Sequence, residues 1–328
     1  MNIFQRKRCY FVFLYNFRNG AGDLVNLKVV RSESMRKGTV LAFAVVLGVF
    51  LVTLPGSAQQ THKKFSLKVS GGYGSISGGD LTAVADGINE QLADIARLAG
   101  ASTSGELANA KWGPEFEGEF IYNLTERWGV GLGVGYVRKS IESGAELQVG
   151  AYARVSFDWE PVYKVIPLTL NGYYNFPVAS KMNAYVKGGV GYYFATWDYK
   201  IRQENELLGM TVWEDNEGTA KHSGLGFQGG LGFEFILSDR AAIFVEGTGR
   251  YVNLTNWDVD NMNRTALGSE RDRGTFWYIE EFEEDTGKYY PNLELSDDEP
   301  SDPDFRNVRK AEVGLSGIVF KVGIKFSF

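Results

Sequence analysis

Apolar and polar residues alternate with a period of two in eight separate stretches of this chain. At the C-terminal end Ile318, Phe320, Val322, Ile324, Phe326 and Phe328 fall on one face of an extended strand, and Gly317, Val319, Lys321, Gly323, Lys325 and Ser327 fall on the other. Seven earlier stretches do the same, at 65–73, 115–124, 127–137, 166–176, 184–195, 225–235 and 242–252. In the third of these Trp128, Val130, Leu132, Val134 and Tyr136 oppose Gly129, Gly131, Gly133 and Gly135. Each stretch is about nine to twelve residues long, which is what a tilted strand needs to cross a bilayer. A soluble sandwich can alternate in this way too. Eight such strands, one ending the chain on an aromatic, read instead as a membrane barrel with its apolar face toward lipid.

The connections support that reading. Strands two and three join around Thr125 and Glu126, four and five through 177–183, and six and seven through 236–241. The other connections, 74–114, 138–165, 196–224 and 253–312, are all long. Strict alternation of short and long is expected when one rim carries turns and the other carries loops. The predicted fold is therefore all-β, an eight-stranded antiparallel up-and-down transmembrane β-barrel with long extracellular loops and both termini at the short-turn rim. In the first long loop Leu81, Val84, Ala85, Ile88, Leu92, Ile95 and Ala99 recur at helical spacing, which predicts a short helix capped by Asp80 and stopped by Gly100. Trp128 at a short-turn end, and Trp112, Trp159, Trp197 and Trp257 near long-loop ends, are expected to form interfacial girdles.

Composition narrows the function classes. Forty glycines, 14% aromatics and only eight prolines suit β structure. A net charge of −6 offers no basic footprint for nucleic acid. One cysteine, Cys9, and two histidines leave little material for disulfides, a metal site, a cofactor or a general base. Upstream of the strands, Met35, Arg36 and Lys37 begin a basic segment, residues 40–54 are an apolar run, and Gly56, Ser57 and Ala58 supply small residues before Gln59. That order is a signal peptide, too short to span as a helix. The expected organisation is an upstream extension at 1–34, a signal peptide at 35–58 with Met35 as the true start, and a barrel domain at 59–328.

If the apolar face meets lipid, the inward positions include Lys68, Glu115, Glu117, Glu119, Lys187, Glu234, Glu246, Arg250, Lys321 and Lys325. Both signs occur, and eight strands leave a lumen that side chains just fill. These residues are expected to form a lumen charge network that plugs the barrel. The rival expectation is that the inward glycines leave a water-filled path for small solutes. Asp258 and Asp260 resemble the start of a calcium loop, but Met262 and Asn263 stand where a ligand and a glycine are needed, so a solvated acidic loop is expected there. His222 and Ser223 are neighbours in sequence, which does not make a catalytic pair.

The segments 166–177, 184–194 and 230–237 resemble the small eight-stranded outer-membrane β-barrel family, of the OmpX, OmpW and OmpA type. The resemblance covers roughly residues 64–328. It implies a bacterial outer-membrane location, contact with outer-membrane lipid, and insertion by the barrel-assembly machinery, which would read Phe320, Val322, Ile324, Phe326 and Phe328 as its signal. Unlike the two-domain OmpA proteins, this chain is expected to carry no peptidoglycan-binding domain after the barrel. The reading is a non-enzymatic barrel with a largely plugged lumen, no cofactor, and surface loops for envelope structure or for contact with a ligand the sequence does not name. A narrow solute channel is the alternative, and a lipid-modifying enzyme the third reading. N-terminal sequencing of the mature protein from outer membranes should begin at Gln59; a mature chain starting at Met1 or Met35 contradicts the signal-peptide assignment.

Overall fold

Period-two alternation produces eight antiparallel strands that close on themselves. The computed structural model describes residues 63–328; the expected extension at 1–34, the signal peptide at 35–58 and Cys9 lie outside the described residues. The barrel strands are β1 (Phe65–Ser75), β2 (Trp112–Asn123), β3 (Trp128–Ser140), β4 (Val162–Ala179), β5 (Met182–Leu207), β6 (Met210–Ser238), β7 (Ala241–Tyr251) and β8 (Gly317–Ser327). Each pairs with its successor, and β8 returns to pair with β1 from Ser66↔Ser327 to Gly74↔Val319. Reciprocal backbone hydrogen bonds between Phe65 and Phe328, at 3.2 and 2.9 Å, finish the seam. Leu132, Leu225 and Phe320 project outward and are exposed, as lipid-facing residues must be.

The long connections carry much regular structure. The expected loop 196–224 is the upper part of a single hairpin, because β5 and β6 run on for 26 and 29 residues to a turn at Leu208 and Gly209. A barrel strand needs only about ten of these to cross the bilayer. The expected solvated loop 253–312 is likewise folded, into strands Asp258–Thr265, Gly268–Glu283, Lys288–Ser296 and Phe305–Lys310. Together with Ser102–Glu106, Ser143–Val149 and Ala153–Trp159, most of these continue one sheet upward from the barrel wall.

The sheet curls into a cup whose ends are bridged by helix α1 (Asp80–Ala99). Its apolar stripe, Leu81, Val84, Ala85, Leu92, Ile95 and Ala96, is buried. Gly100 ends it in the left-handed conformation, φ 61°, as the spacing predicts. Asp80 is not the N-cap but the first helical residue, following Gly79 at φ 59°. Its carboxylate instead accepts from Arg309, at 2.5 and 2.6 Å, and from the Glu312 N–H at 2.7 Å. On the other side Asn89 exchanges two 2.8 Å hydrogen bonds with the backbone of Leu107.

The girdle expectation fails for three of five tryptophans. Trp112 and Trp128 face outward, whereas Trp159, Trp197 and Trp257 are buried at 3%, 1% and 1% exposure. Trp159 packs on Trp197, which stacks on Tyr163 and meets Tyr199 and Phe276 at tilted angles in the floor of the cup. Alternation alone does not distinguish an aromatic facing lipid from one packed beneath a second layer of structure.

Near the far end of α1, Asp94 accepts from Lys288 Nζ at 2.6 Å and from Tyr290 OH at 2.8 Å. Those hydrogen bonds, from Lys288 first and then Tyr290, hold the Asp94 carboxyl below its ordinary value. A folded pKa below the unfolded one stabilises this contact above about pH 4, and the stabilisation is lost as pH falls through the folded value. Amide-exchange protection in the second half of α1 should be flat from neutral pH to about 5 and drop below about 4. Asp94→Asn should flatten that drop; an unchanged acid profile in the variant rejects the assignment.

Candidate lumen charge network and rim

Inward positions on a strand recur every second residue, so closing the barrel gathers them around one axis. Glu246 on β7 lies at the centre, 4% exposed. Lys68 Nζ on β1 lies 3.0 Å from its Oε2, Lys187 Nζ on β5 lies 2.7 Å from its Oε1, and Lys321 on β8 lies 3.6 Å from Oε1. Tyr185 OH and Thr248 Oγ1 donate to the same carboxylate at 2.8 and 2.9 Å. Lys68 is also held over the rings of Tyr185 and Phe244, 4.2 and 4.1 Å from their centroids, a favourable place for a desolvated ammonium. Glu117 on β2 joins this knot through Lys321 and, at 3.5 Å, through Lys187.

Two further pairs flank it. Toward the long-loop rim, Arg250 grips Glu115 with two hydrogen bonds of 2.7 and 2.8 Å. Toward the short-turn rim, Lys325 donates to both oxygens of Glu234, at 3.0 and 2.9 Å. Glu119 has no cation on it. Its partners are neutral, Asn171 at 2.8 Å and the Tyr173 hydroxyl.

One residue of this network escaped the sequence pattern. Lys139, fully buried, donates to Glu115 at 2.8 Å and to the carbonyls of Gly74 and Gly113 at 2.7 Å each. The alternation through Gly129, Gly131, Gly133 and Gly135 continues inward through Val137 to Lys139, so extending that strand by two residues would have found it. With Lys139 the lumen carries six basic side chains (Lys68, Lys139, Lys187, Arg250, Lys321 and Lys325) against five acidic ones (Glu115, Glu117, Glu119, Glu234 and Glu246).

Neighbouring side chains fill the space beside the inward glycines. A Cβ built on Gly232 would lie 2.4 Å from the Tyr185 ring, and one on Gly131 would lie 2.3 Å from Glu119 Oε1. The tyrosines and carboxylates of neighbouring strands occupy the space that the missing side chains vacate. A cavity of about 20 Å³, between Glu115, Glu117, Tyr193, Gln228, Arg250 and Lys321, has room for about one water.

At the outer rim His222 and Ser223 point to opposite faces of β6, as adjacent strand residues must. Ser223 Oγ lies 2.9 Å from Tyr192 OH on the outside, and the His222 ring lies 6.0 Å from Trp257. On the outer face of the cup, a groove of about 970 Å³ is lined by Lys200, Glu217, Lys221, Asp260, Arg264 and Arg271, among others. Asp260 is engaged there by Arg271, whose hydrogen bonds hold its carboxyl below the ordinary range. Arg264 pairs with Glu217 at 2.9 Å.

Taking one partner from the central knot strands charge in a site with almost no water. Glu246→Gln should destabilise the barrel by roughly 3–5 kcal/mol if the site is dry, read as a lower urea midpoint for the heat-modifiable form. A midpoint equal to that of the parent protein would show that the ion pairs are hydrated and weak.

The family described as "Outer membrane protein beta-barrel domain" matches residues 44–268 of this chain. No curated protein matches it. Among solved structures, the Neisserial surface protein A is 10% identical, the alignment covering 80% of this chain and 97% of that one with a TM-score of 0.34. OprG from Pseudomonas aeruginosa is 13% identical over 83% of this chain and 99% of its own, with a TM-score of 0.35. The outer membrane protease OmpT from Escherichia coli is 9% identical over 83% and 99%, with a TM-score of 0.26. None of these likenesses is strong enough to bring a role to this chain.

Proposed function

Because the chain belongs to the outer membrane protein β-barrel domain family, and so to the bacterial outer membrane, we propose that it is a non-enzymatic barrel with a plugged lumen whose work is done by its long-loop side. The observation that carries this reading is the knot at Glu246. Side chains from β1, β5 and β8 converge on one carboxylate in mid-lumen, above and below which Glu115–Arg250 and Glu234–Lys325 bar the way. Mixed signs attract across a narrow lumen, whereas a pore of one sign would repel its own lining and stay open.

The catalytic reading has little to stand on, since His222 and Ser223 face opposite ways and the buried carboxylates are each occupied by a donor. The long-loop side faces the medium on this reading, with the short turns, the start of β1 and the end of β8 toward the periplasm. Export by the 35–58 segment, cleavage near Ala58, and recognition of the outward Phe320, Val322, Ile324, Phe326 and Phe328 by the insertion machinery belong to the same proposal. The outward set is uninterrupted along β8, as a surface read in lipid would have to be.

Planar-bilayer recording of the refolded protein tests the plug. Conductance should be small and unsteady, and should stay small in Glu246→Ala even as that variant loses stability. Steady, ohmic conductance in the parent protein overturns the plug and establishes the narrow solute channel instead.

A further inference from the structure

Where the outward apolar belt ends at the long-loop rim, the next outward positions are unevenly charged around the wall. On β3 to β6 the belt ends at Tyr136, Ile166, Phe194 and Leu225, all exposed. Beyond it, on the same faces, come Arg138, Lys164, Thr196 and, after Ser223, Lys221. These four form one cross-strand row, with Arg138 in register with Lys164, Lys164 with Thr196, and Thr196 with Lys221. The residues next beyond Tyr251, Ile318 and Tyr73 on β7, β8 and β1 are Asn253, Ser316 and Ser75, which carry no charge.

The row is short of counter-charge. Lys164 Nζ meets Asp198 at 2.7 Å, and Asp198 also accepts from Thr219 Oγ1 at 2.8 Å. Neither Arg138 nor Lys221 forms an ion pair among the described residues, although Asp258 is the cross-strand neighbour of Lys221. Arg138 therefore faces Lys164 directly with no carboxylate of its own. Like charges opposite one another on a sheet repel, and an anion seated between them removes that cost. Just above the row opens the outer-face groove of about 970 Å³, with Asp198, Lys221 and Lys200 in its lining. Arg264 and Arg271 in that groove are already paired, with Glu217 and Asp260.

We infer that Arg138, Lys164 and Lys221 hold the phosphorylated headgroup of a lipid in the adjoining leaflet. Position names the occupant, because side chains next to the apolar belt stand at headgroup depth, where lipid covers the wall. Arg138 and Lys164 sit on adjacent strands about 5 Å apart, so both reach one phosphate, and the guanidinium donates two parallel N–H bonds to it. Thr196 adds a hydroxyl beside them, and Lys221, one strand further, a second ammonium. The groove gives room for whatever the headgroup carries beyond its phosphate. The inference rests on the outward reading of the long-loop side only for which leaflet supplies the lipid, not for the site itself.

Native mass spectrometry of the mature full-length protein, refolded in detergent micelles, tests the site with lipid A bearing its phosphates and with the same lipid stripped of them. The phosphorylated form should bind at least about tenfold more tightly than the stripped form. Arg138→Gln with Lys164→Gln should abolish that preference while the protein stays heat-modifiable. Lys64→Gln with Arg127→Gln, which removes two exposed cations at the short-turn rim, should leave it intact. If the first variant does not fold, Arg138→Gln alone, which breaks no ion pair, should still reduce the preference. Equal binding of the two lipids, equal loss in the short-turn variant, or full displacement of the lipid by millimolar inorganic phosphate overturns the site. Separately, an impermeant maleimide that fails to label Leu208→Cys on intact cells rejects the outward orientation and assigns the site to the other leaflet.

Discussion

Hydrocarbon offers no water to an unpaired backbone amide, and that constraint shapes everything else here. A sheet inside a bilayer has to close, because each open edge would leave a row of unsatisfied N–H and C=O groups. Closure is completed by β8 against β1. With eight strands the enclosed lumen is too narrow for more than side chains, so the inward residues of distant strands are forced to meet. Charges that would be unremarkable on a surface then have to neutralise one another. The Glu246 knot follows from that geometry, as does the pairing of Glu115 with both Arg250 and Lys139.

Beyond the membrane the same sheet continues without the same constraint. Strands β5 and β6 leave the bilayer and serve as the central pair of a wider, open curl. There the edges lie in water and need no partner, yet α1 still bridges them. Its stripe of Leu81, Val84, Leu92 and Ile95 is buried against the cup, while two of its carboxylates, Asp80 and Asp94, tie it to the last connection. The upper storey thus has its own core, the Trp159, Tyr163, Trp197 and Phe276 cluster, separated from the charged lumen below.

Much of the barrel was legible because each of its strands has one face in lipid and one face in a polar lumen, which writes a period of two into the sequence. The upper hairpin was not. Between Lys200 and Glu217 both faces carry polar residues, such as Arg202 and Gln203 or Asp215 and Asn216, so no alternation marks it as a strand. Trp159, Trp197 and Trp257 were misplaced because the pattern records that a face is apolar and not what covers it. Charge told which residues lie in the lumen, but not that Glu119 would be satisfied by Asn171 and Tyr173, which are neutral partners from another strand. Lys139 lay just past the assumed strand end, where parity still held.

The staple between Asp80 and Arg309 joins residues 229 positions apart, and the seam between Ser66 and Ser327 joins residues 261 apart. Both closures, of the cup and of the barrel, therefore wait on the same final stretch of chain. Until that stretch arrives, Asp80 has no Arg309 to hold and β1 has a bare edge. Sequence-distant contacts of this kind place the ordering of the surface storey at the end of assembly, with the sealing of the wall. A molecule caught before that point would lack its lid and its lipid seal together.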